Sequence, residues 1–178
     1  AEIDSKGNPL HFETVKVDRA GDATYHGPGQ VVLYPVLDLN FFEKDINKYL
    51  RKLEQVVILT AKAFGIQARR KQEPGYTGVW VGDVKIAAIG LKISRWVTSH
   101  GVAVNVDPDM RYFHNIVPCG IKDKDKSVGS LRQFNSELTV PVVTTELLKQ
   151  LCREFEITPA CRVEGEVALH KLQLTTIE

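Results

Sequence analysis

The chain is 178 residues long, 43% hydrophobic and 25% charged, with 23 Lys plus Arg against 22 Asp plus Glu. That length and apolar share support one domain with a substantial core, and a formal net charge of +1 leaves no footprint for general nucleic-acid binding. Apolar runs stop well short of the roughly 20 residues that cross a bilayer, so no membrane-spanning helix is expected.

Three cysteines, Cys119, Cys152 and Cys161, form an odd count without paired spacing. A disulfide framework is not expected from that pattern, and a reducing intracellular compartment suits it. Residues 1–10 are polar and lack the apolar stretch of a secretion signal. Their Lys6-Gly7-Asn8-Pro9 turn signal makes them a flexible lead-in. No repeat or low-complexity tract divides the chain, so residues 1–178 are read as a single domain. Basic groups at 69–71 and 122–126 are read as solvated loops or as a meeting place for an acidic protein.

In chain order, Phe12, Val15 and Val17 alternate with polar residues and predict a strand over 11–17. The glycine-rich stretch 21–30 is a loop, and the apolar run 31–39 predicts a strand buried on both faces. Asn40 with Glu43 has capping-box spacing. The helix that follows puts Ile46, Tyr49, Leu50, Leu53, Val56, Val57 and Thr60 on one stripe and ends at Gly65. That stripe is read as packing against a sheet.

Residues 79–81 and 84–93 flank Gly82-Asp83 in a hairpin pattern, and 97–106 predicts a further strand. The segment 107–127 is irregular and charged, and Leu147, Leu148, Leu151 and Phe155 predict a helix over 144–155. Strands outnumber helices, and the two long helices fall between groups of strands. The fold class is therefore α+β, with helices packed on a mixed or antiparallel sheet.

Four clusters depart from plain structural pattern. In Arg19-Ala20-Gly21-Asp22-Ala23-Thr24-Tyr25-His26-Gly27-Pro28-Gly29-Gln30, glycines allow backbone to approach a ligand, and Tyr25 and His26 offer a ring wall and a hydrogen-bond partner. A tight β connection with a surface histidine explains the same residues. Lys85-Ile86-Ala87-Ala88-Ile89-Gly90 opens on a lysine, commonly a solvated residue, and its small side chains suit either an aliphatic ligand or close sheet packing. His100-Gly101 within a strand suggests a bulge or a close backbone approach. Val117-Pro118-Cys119-Gly120 frames a cysteine in a tight turn that can display sulfur; a buried free thiol is the alternative. There is no metal-ligand spacing and no phosphate-binding glycine loop.

Together these clusters resemble the lipoyl(octanoyl) transferase family. That family carries Arg-Gly-Gly leading into Thr-Tyr-His-Gly-Pro-Gly-Gln, matched by 19–30, then Gly-Val-Trp-Val at 78–81 and Lys-Ile-Ala-Ala-Ile-Gly at 85–90. His100-Gly101, Asn105-Val106 and Pro118-Cys119-Gly120 complete the series, so the resemblance spans 19–131. It implies the fold of lipoate and biotin protein ligases and octanoyl transfer without nucleotide, cofactor or metal. The donor would be octanoyl-acyl carrier protein. The acceptors would be lysines on lipoyl domains of 2-oxoacid dehydrogenases and on the glycine cleavage H protein.

By the same resemblance Cys119 is the acyl-accepting nucleophile and Lys85 lowers its pKa. Residues Arg19, Ala20, Gly21, Asp22, Ala23, Thr24, Tyr25 and His26 would line the acyl pocket, with Ala88, Ile89, Gly90, His100, Gly101, Val102 and Ala103. Two features depart from the family pattern. Ala20 stands where the first glycine of the pair is usual, and residues 1–18 hold no His-Pro-Pro-like run, so the chain reads as short at its N-terminus. Bacterial cytoplasm, mitochondrion and plastid all accord with this reading. Three alternatives stay open: a binding-only relative, an ATP-dependent lipoate-protein ligase, and a cysteine hydrolase using His26 or His100 as base.

Overall fold

The computed structural model describes residues 14–21, 24–114, 125–158 and 173–175. Residues 14–17 take no part in the sheet, and Val15 and Val17 are exposed, so their alternation reflects no buried strand face. Residues 11–13 of that expected strand lie outside the described residues.

The apolar run starting at 31 divides. Gln30–Tyr34 form strand β1, and Pro35, which has no backbone donor, follows directly. Leu39–Phe41 form a 3-10 turn in which the Asp38 carboxylate accepts the Asn40 N–H at 2.9 Å. Asn40 is thereby engaged before the helix begins, so it does not cap it. Asp45 takes that position, accepting the Lys48 N–H at 3.0 Å, and helix α1 runs Ile46–Ala63. Gly65 follows at φ 78°, as a helix stop requires.

Strand β2 is Arg69–Arg70, β3 is Val79–Val81, β4 is Val84–Ser94 and β5 is Val97–Asn105. The predicted hairpin at Gly82-Asp83 joins β3 to β4. Arg95 and Trp96 join β4 to β5 with both residues left-handed, at φ 49° and 67°. That backbone follows the twist of a hairpin. A short helix α2 (Arg111–His114), strand β6 (Ser127–Val128), helix α3 (Val140–Glu154) and strand β7 (Gln173–Thr175) complete the described elements. Helix α3 starts earlier than the expected 144 because Pro141 fits the first turn, whose N–H groups have no helical acceptor.

The sheet order is β2-β3-β4-β5-β1-β7, antiparallel throughout, with β6 parallel to β4. This is the mixed sheet of the expected α+β class. Helices α1 and α3 bring Leu53, Val56, Val57, Val143, Leu147 and Leu151 into one core with Val31, Leu33, Ile86, Val102 and Val104. Burying each such side chain contributes roughly 1.5–3 kcal/mol.

The β4–β5 tip is tied to the segment between β1 and α1. Leu39 N donates to Trp96 O at 2.8 Å, Thr98 N donates to Leu37 O at 2.9 Å, and Asp38 bridges Val97. Among the described residues no helix is long and apolar enough to cross a membrane.

Candidate active site

Strands β4 and β5 pair in register, with Gly90 opposite Gly101 and Ala88 opposite Ala103. These small residues open the sheet surface to two close approaches. A Cβ at Gly101 would press on Leu33 O and stand 2.7 Å from Pro35 Cδ; one at Gly90 would stand 2.7 Å from Arg19 Cδ. The expected close backbone approach at His100-Gly101 is therefore present. His100 carries it at φ 59°, and pairing with β4 continues through it without a bulge.

The segment before β1 lies across this opening. Ala20 N donates to Leu91 O at 3.0 Å, which lays Arg19 and Ala20 along β4. Left-handed backbone falls on Gly21, at φ 103°, and not on Ala20, so the alanine meets no conformational demand for glycine.

A cavity of ≈ 660 Å³ forms between these elements. Arg19, Ala20, Gly21, Thr24 and His26 reach it from the loop before β1. Strand β4 contributes Lys85, Ala88, Ile89 and Gly90, and β5 contributes His100, Gly101, Val102 and Ala103. Tyr25 turns elsewhere: its ring stacks on Tyr112 at 4.6 Å and meets Phe113 edge-on at 5.4 Å. Ala87, grouped with Ala88 and Gly90 in the sequence, belongs to the core. Asp22, Ala23 and Cys119, with the whole Val117-Pro118-Cys119-Gly120 turn, lie outside the described residues.

Other lining residues carried no signal as site residues. Ile46 and Leu50 of α1 form part of the wall, with Tyr34, Leu91, Ile93, Gly75 and Thr77. Ile46 and Leu50 looked like two more members of the packing stripe. The clue was position, since both lie at the helix start, where a stripe can run past the edge of its core.

Lys85 is only 5% exposed, unusual for a lysine. The β3–β4 register slips beside it, from Val79 opposite Ala87 to Trp80 opposite Lys85, leaving Ile86 as the extra residue. Such a bulge re-aims the neighbouring side chain. The Lys85 ammonium stands 5.6 Å from the centre of the Trp80 ring, and a Cβ at Gly78 would stand 2.7 Å from Lys85 Cε. Gly78 N in turn donates to the fully buried carboxylate of Glu54 at 3.3 Å.

His26 is held through Gln30. Gln30 Oε1 accepts from Gly27 N at 3.2 Å and lies 3.3 Å from His26 Nδ1, while Nε2 donates to Tyr25 O at 3.2 Å and to Asn105 Oδ1 at 2.8 Å. Burial holds the His26 imidazole below its usual pKa; the Gln30 hydrogen bond opposes this, and Arg19 and His100 add to it. The His100 and Tyr34 rings meet at 72°, ring centres 5.5 Å apart. Tyr34 is itself pushed up by burial. Among the described residues, no group of three or more His, Cys, Asp or Glu side chains could hold a metal ion.

The catalytic-domain family model of lipoyl protein ligases A and B matches residues 6–152. A curated relative named octanoyltransferase, from Synechococcus sp. strain JA-2-3B'a(2-13), is 51% identical over 80% of this chain and 53% of its own length. Another of that name, from Gloeobacter violaceus, is 47% identical over 84% of this chain and 65% of its own length. The chain thus spans about half to two thirds of the curated relatives it matches. In fold it is similar to a lipoate-protein ligase A solved with ATP, at TM-score 0.64 and 16% identity over 78% of this chain and 57% of that one. A biotin protein ligase from Aquifex aeolicus aligns at TM-score 0.54 and 17% identity over 72% of this chain and 53% of its own. The expected ligase-type fold is thus the observed one.

Proposed function

This chain belongs to the lipoyl protein ligase A/B catalytic-domain family, and on that premise we propose that it moves an octanoyl group from an acyl carrier protein to a lysine of a lipoyl domain. The relatives' shared name, octanoyltransferase, supports the transfer reading. The observation that carries it is the cavity, whose wall sets Lys85 among apolar and glycine surfaces of β4 and β5. An aliphatic chain buried there gains roughly 0.8 kcal/mol per methylene, and a lysine in the same wall supplies positive charge where the thioester reacts.

In this reading Cys119 is the acyl acceptor, a role resting on the Pro118-Cys119-Gly120 resemblance. A free thiol has pKa about 8.5, so little is thiolate at neutral pH. An ammonium nearby favours the thiolate. The donor is itself a thioester, so transfer to Cys119 exchanges one thioester for another and needs no ATP. The acceptor amine then takes the acyl group as an amide. Acceptors would include the lipoyl domains of 2-oxoacid dehydrogenases and the glycine cleavage H protein. The compartment would be reducing, either bacterial cytoplasm or an organelle, and residues 1–178 would act as one domain.

The test is intact mass after incubation with octanoyl carrier protein and no nucleotide, beside Cys119→Ser. A single octanoyl adduct, absent in the variant, is expected. A folded chain that takes no adduct would sink the reading in favour of a binding-only relative. Turnover that demands ATP and free octanoate would favour a ligase instead.

A further inference from the structure

Helix α1 carries a carboxylate inside its buried face. Glu54 lies one turn beyond the cavity-lining Leu50, on the same side of the helix, and is fully buried. Taking a carboxylate out of water is costly, and replacing a buried ion pair by apolar side chains of similar volume is often neutral or stabilising. Stability is therefore a weak reason for an acid at this position. A better one lies in what its two oxygens hold.

Oε2 meets cations. It accepts from Arg51 Nη1 at 2.7 Å and stands 3.8 Å from Arg70 Nε, and Arg70 also donates to Gln55 Oε1 at 2.7 Å. These contacts fix the carboxylate between α1 and β2. Oε1 accepts the N–H of Gly78 at 3.3 Å. Gly78 is buried and stands just before the first β3–β4 pair, Val79 with Ala87, where the bulge begins. A buried backbone N–H left unpaired is costly, so this bond pins the residue.

Gly78 in turn packs on Lys85. At φ 127° it takes a backbone that side chains rarely adopt, and a Cβ there would stand 2.4 Å from Ala87 O, 2.7 Å from Lys85 Cε and 3.5 Å from Lys85 Nζ. The main chain thus lies against the end of the lysine side chain, and the Trp80 ring centre lies 5.6 Å from its nitrogen. Together they confine a long, flexible stem. Gly75, Thr77 and Lys85 line the cavity, and Glu54 stands behind them.

We infer that Glu54 is a positioning residue for Lys85. Through the Gly78 N–H it holds the 75–78 segment against the lysine and so fixes where the amine sits in the cavity wall. What Glu54 supplies is reach, since its charge is met by Arg51. The role of Lys85 at the reacting thioester rests on the acyl-transfer reading; the chain of contacts from α1 to Lys85 Cε does not.

Two substitutions in the full chain separate reach from charge. Glu54→Asp keeps the carboxylate but draws it back from Gly78, and Glu54→Gln keeps an oxygen at the same reach without the charge. The proton–carbon resonance of Lys85 Cε, assigned with Lys85→Arg in lysine-labelled protein, reports where the side chain lies beside Trp80. Octanoyl adduct formation from octanoyl carrier protein, followed by quenched intact mass, reports the reaction. Misplacing a reacting group by about 1 Å costs about 10²-fold. Glu54→Asp is expected to shift the Lys85 resonance and slow adduct formation by roughly 10- to 10²-fold. Glu54→Gln should restore the native resonance and most of the rate. If Glu54→Asp fails to fold, Glu54→Met, which removes the acceptor oxygen, takes its place with the same expectation. A resonance that stays put on shortening, or that moves more with Gln than with Asp, overturns the assignment; so does a shifted resonance with an unchanged rate. A wild-type chain that takes no acyl group defeats the transfer reading alone, and the resonances still decide whether Glu54 holds Lys85.

Discussion

Gly90 and Gly101 face each other across β4 and β5, and each is glycine for a different neighbour. Gly101 is closed in by the backbone of Leu33 and the ring of Pro35, whereas the nearest neighbour of Gly90 is the side chain of Arg19, with the Ala20 carbonyl further off at 3.2 Å. Backbone cannot move aside cheaply, but an arginine methylene can. Gly101→Ala should therefore cost about 1–3 kcal/mol of folding stability. Gly90→Ala should cost less than about 1 kcal/mol yet displace Arg19 within the cavity wall and lower adduct formation. Urea denaturation beside acylation rates checks both; equal destabilisation by the two substitutions would contradict this division.

Lys85 is buried beside a β-bulge and against Trp80. If its ammonium stabilises the Cys119 thiolate, Lys85→Ala should move the midpoint of alkylation rate against pH toward the free-thiol value of about 8.5. Iodoacetamide labelling, with Cys119 followed by peptide mass, reads this directly. A profile that does not move would remove the role.

The cavity wall at α1 should read chain length. Leu50→Trp adds volume to a lining position, so longer acyl groups should lose most. Each methylene denied burial costs about 0.8 kcal/mol, or about fourfold in relative rate. Competition between octanoyl and decanoyl carrier protein, scored by adduct mass, would show the ratio shift toward octanoyl. An unchanged ratio would mean the acyl tail does not reach Leu50.

Burial holds His26 below the ordinary histidine value of about 6.5. As pH falls through that value, the unfolded chain takes up a proton before the folded chain does, so stability falls with acidity. The native chain should lose more stability between about pH 7.5 and 5.5 than His26→Gln does. Denaturant midpoints at the two pH values measure the difference, and parallel losses would mean that His26 titrates alike in both states.

The legible parts of the fold were those set by local chemistry. Gly82-Asp83 marked the β3–β4 hairpin, and His100-Gly101 marked a close approach that the structure contains. Helix α1 was visible from its stripe, but its start was not: Asn40 and Asp45 are both good caps, and only contact with Asp38 removes the first. The bulge at Ile86 follows from how β3 and β4 meet around Lys85, and nothing local encodes it. Lys85 and His26 were visible as candidates by type. How Gln30 is held beside His26 depends on Asn105, 75 positions from Gln30, and no spacing rule reaches that far.

The tie between Trp96 and Leu39 has a bearing on how the molecule assembles. The hydrogen bonds of helix α1 are local, but a helix of its length is stabilised mainly by the sheet on which its apolar stripe packs. Its position relative to the cavity is set by the β4–β5 tip, which is synthesised later. Ile46 and Leu50 thus become a wall only when that hairpin has closed and clamped residues 37–39. Non-local closure of this kind is slow relative to helix formation. A chain ending inside β5 would lack the clamp on residues 37–39 and part of the cavity wall, so the cavity takes shape only with the completed hairpin.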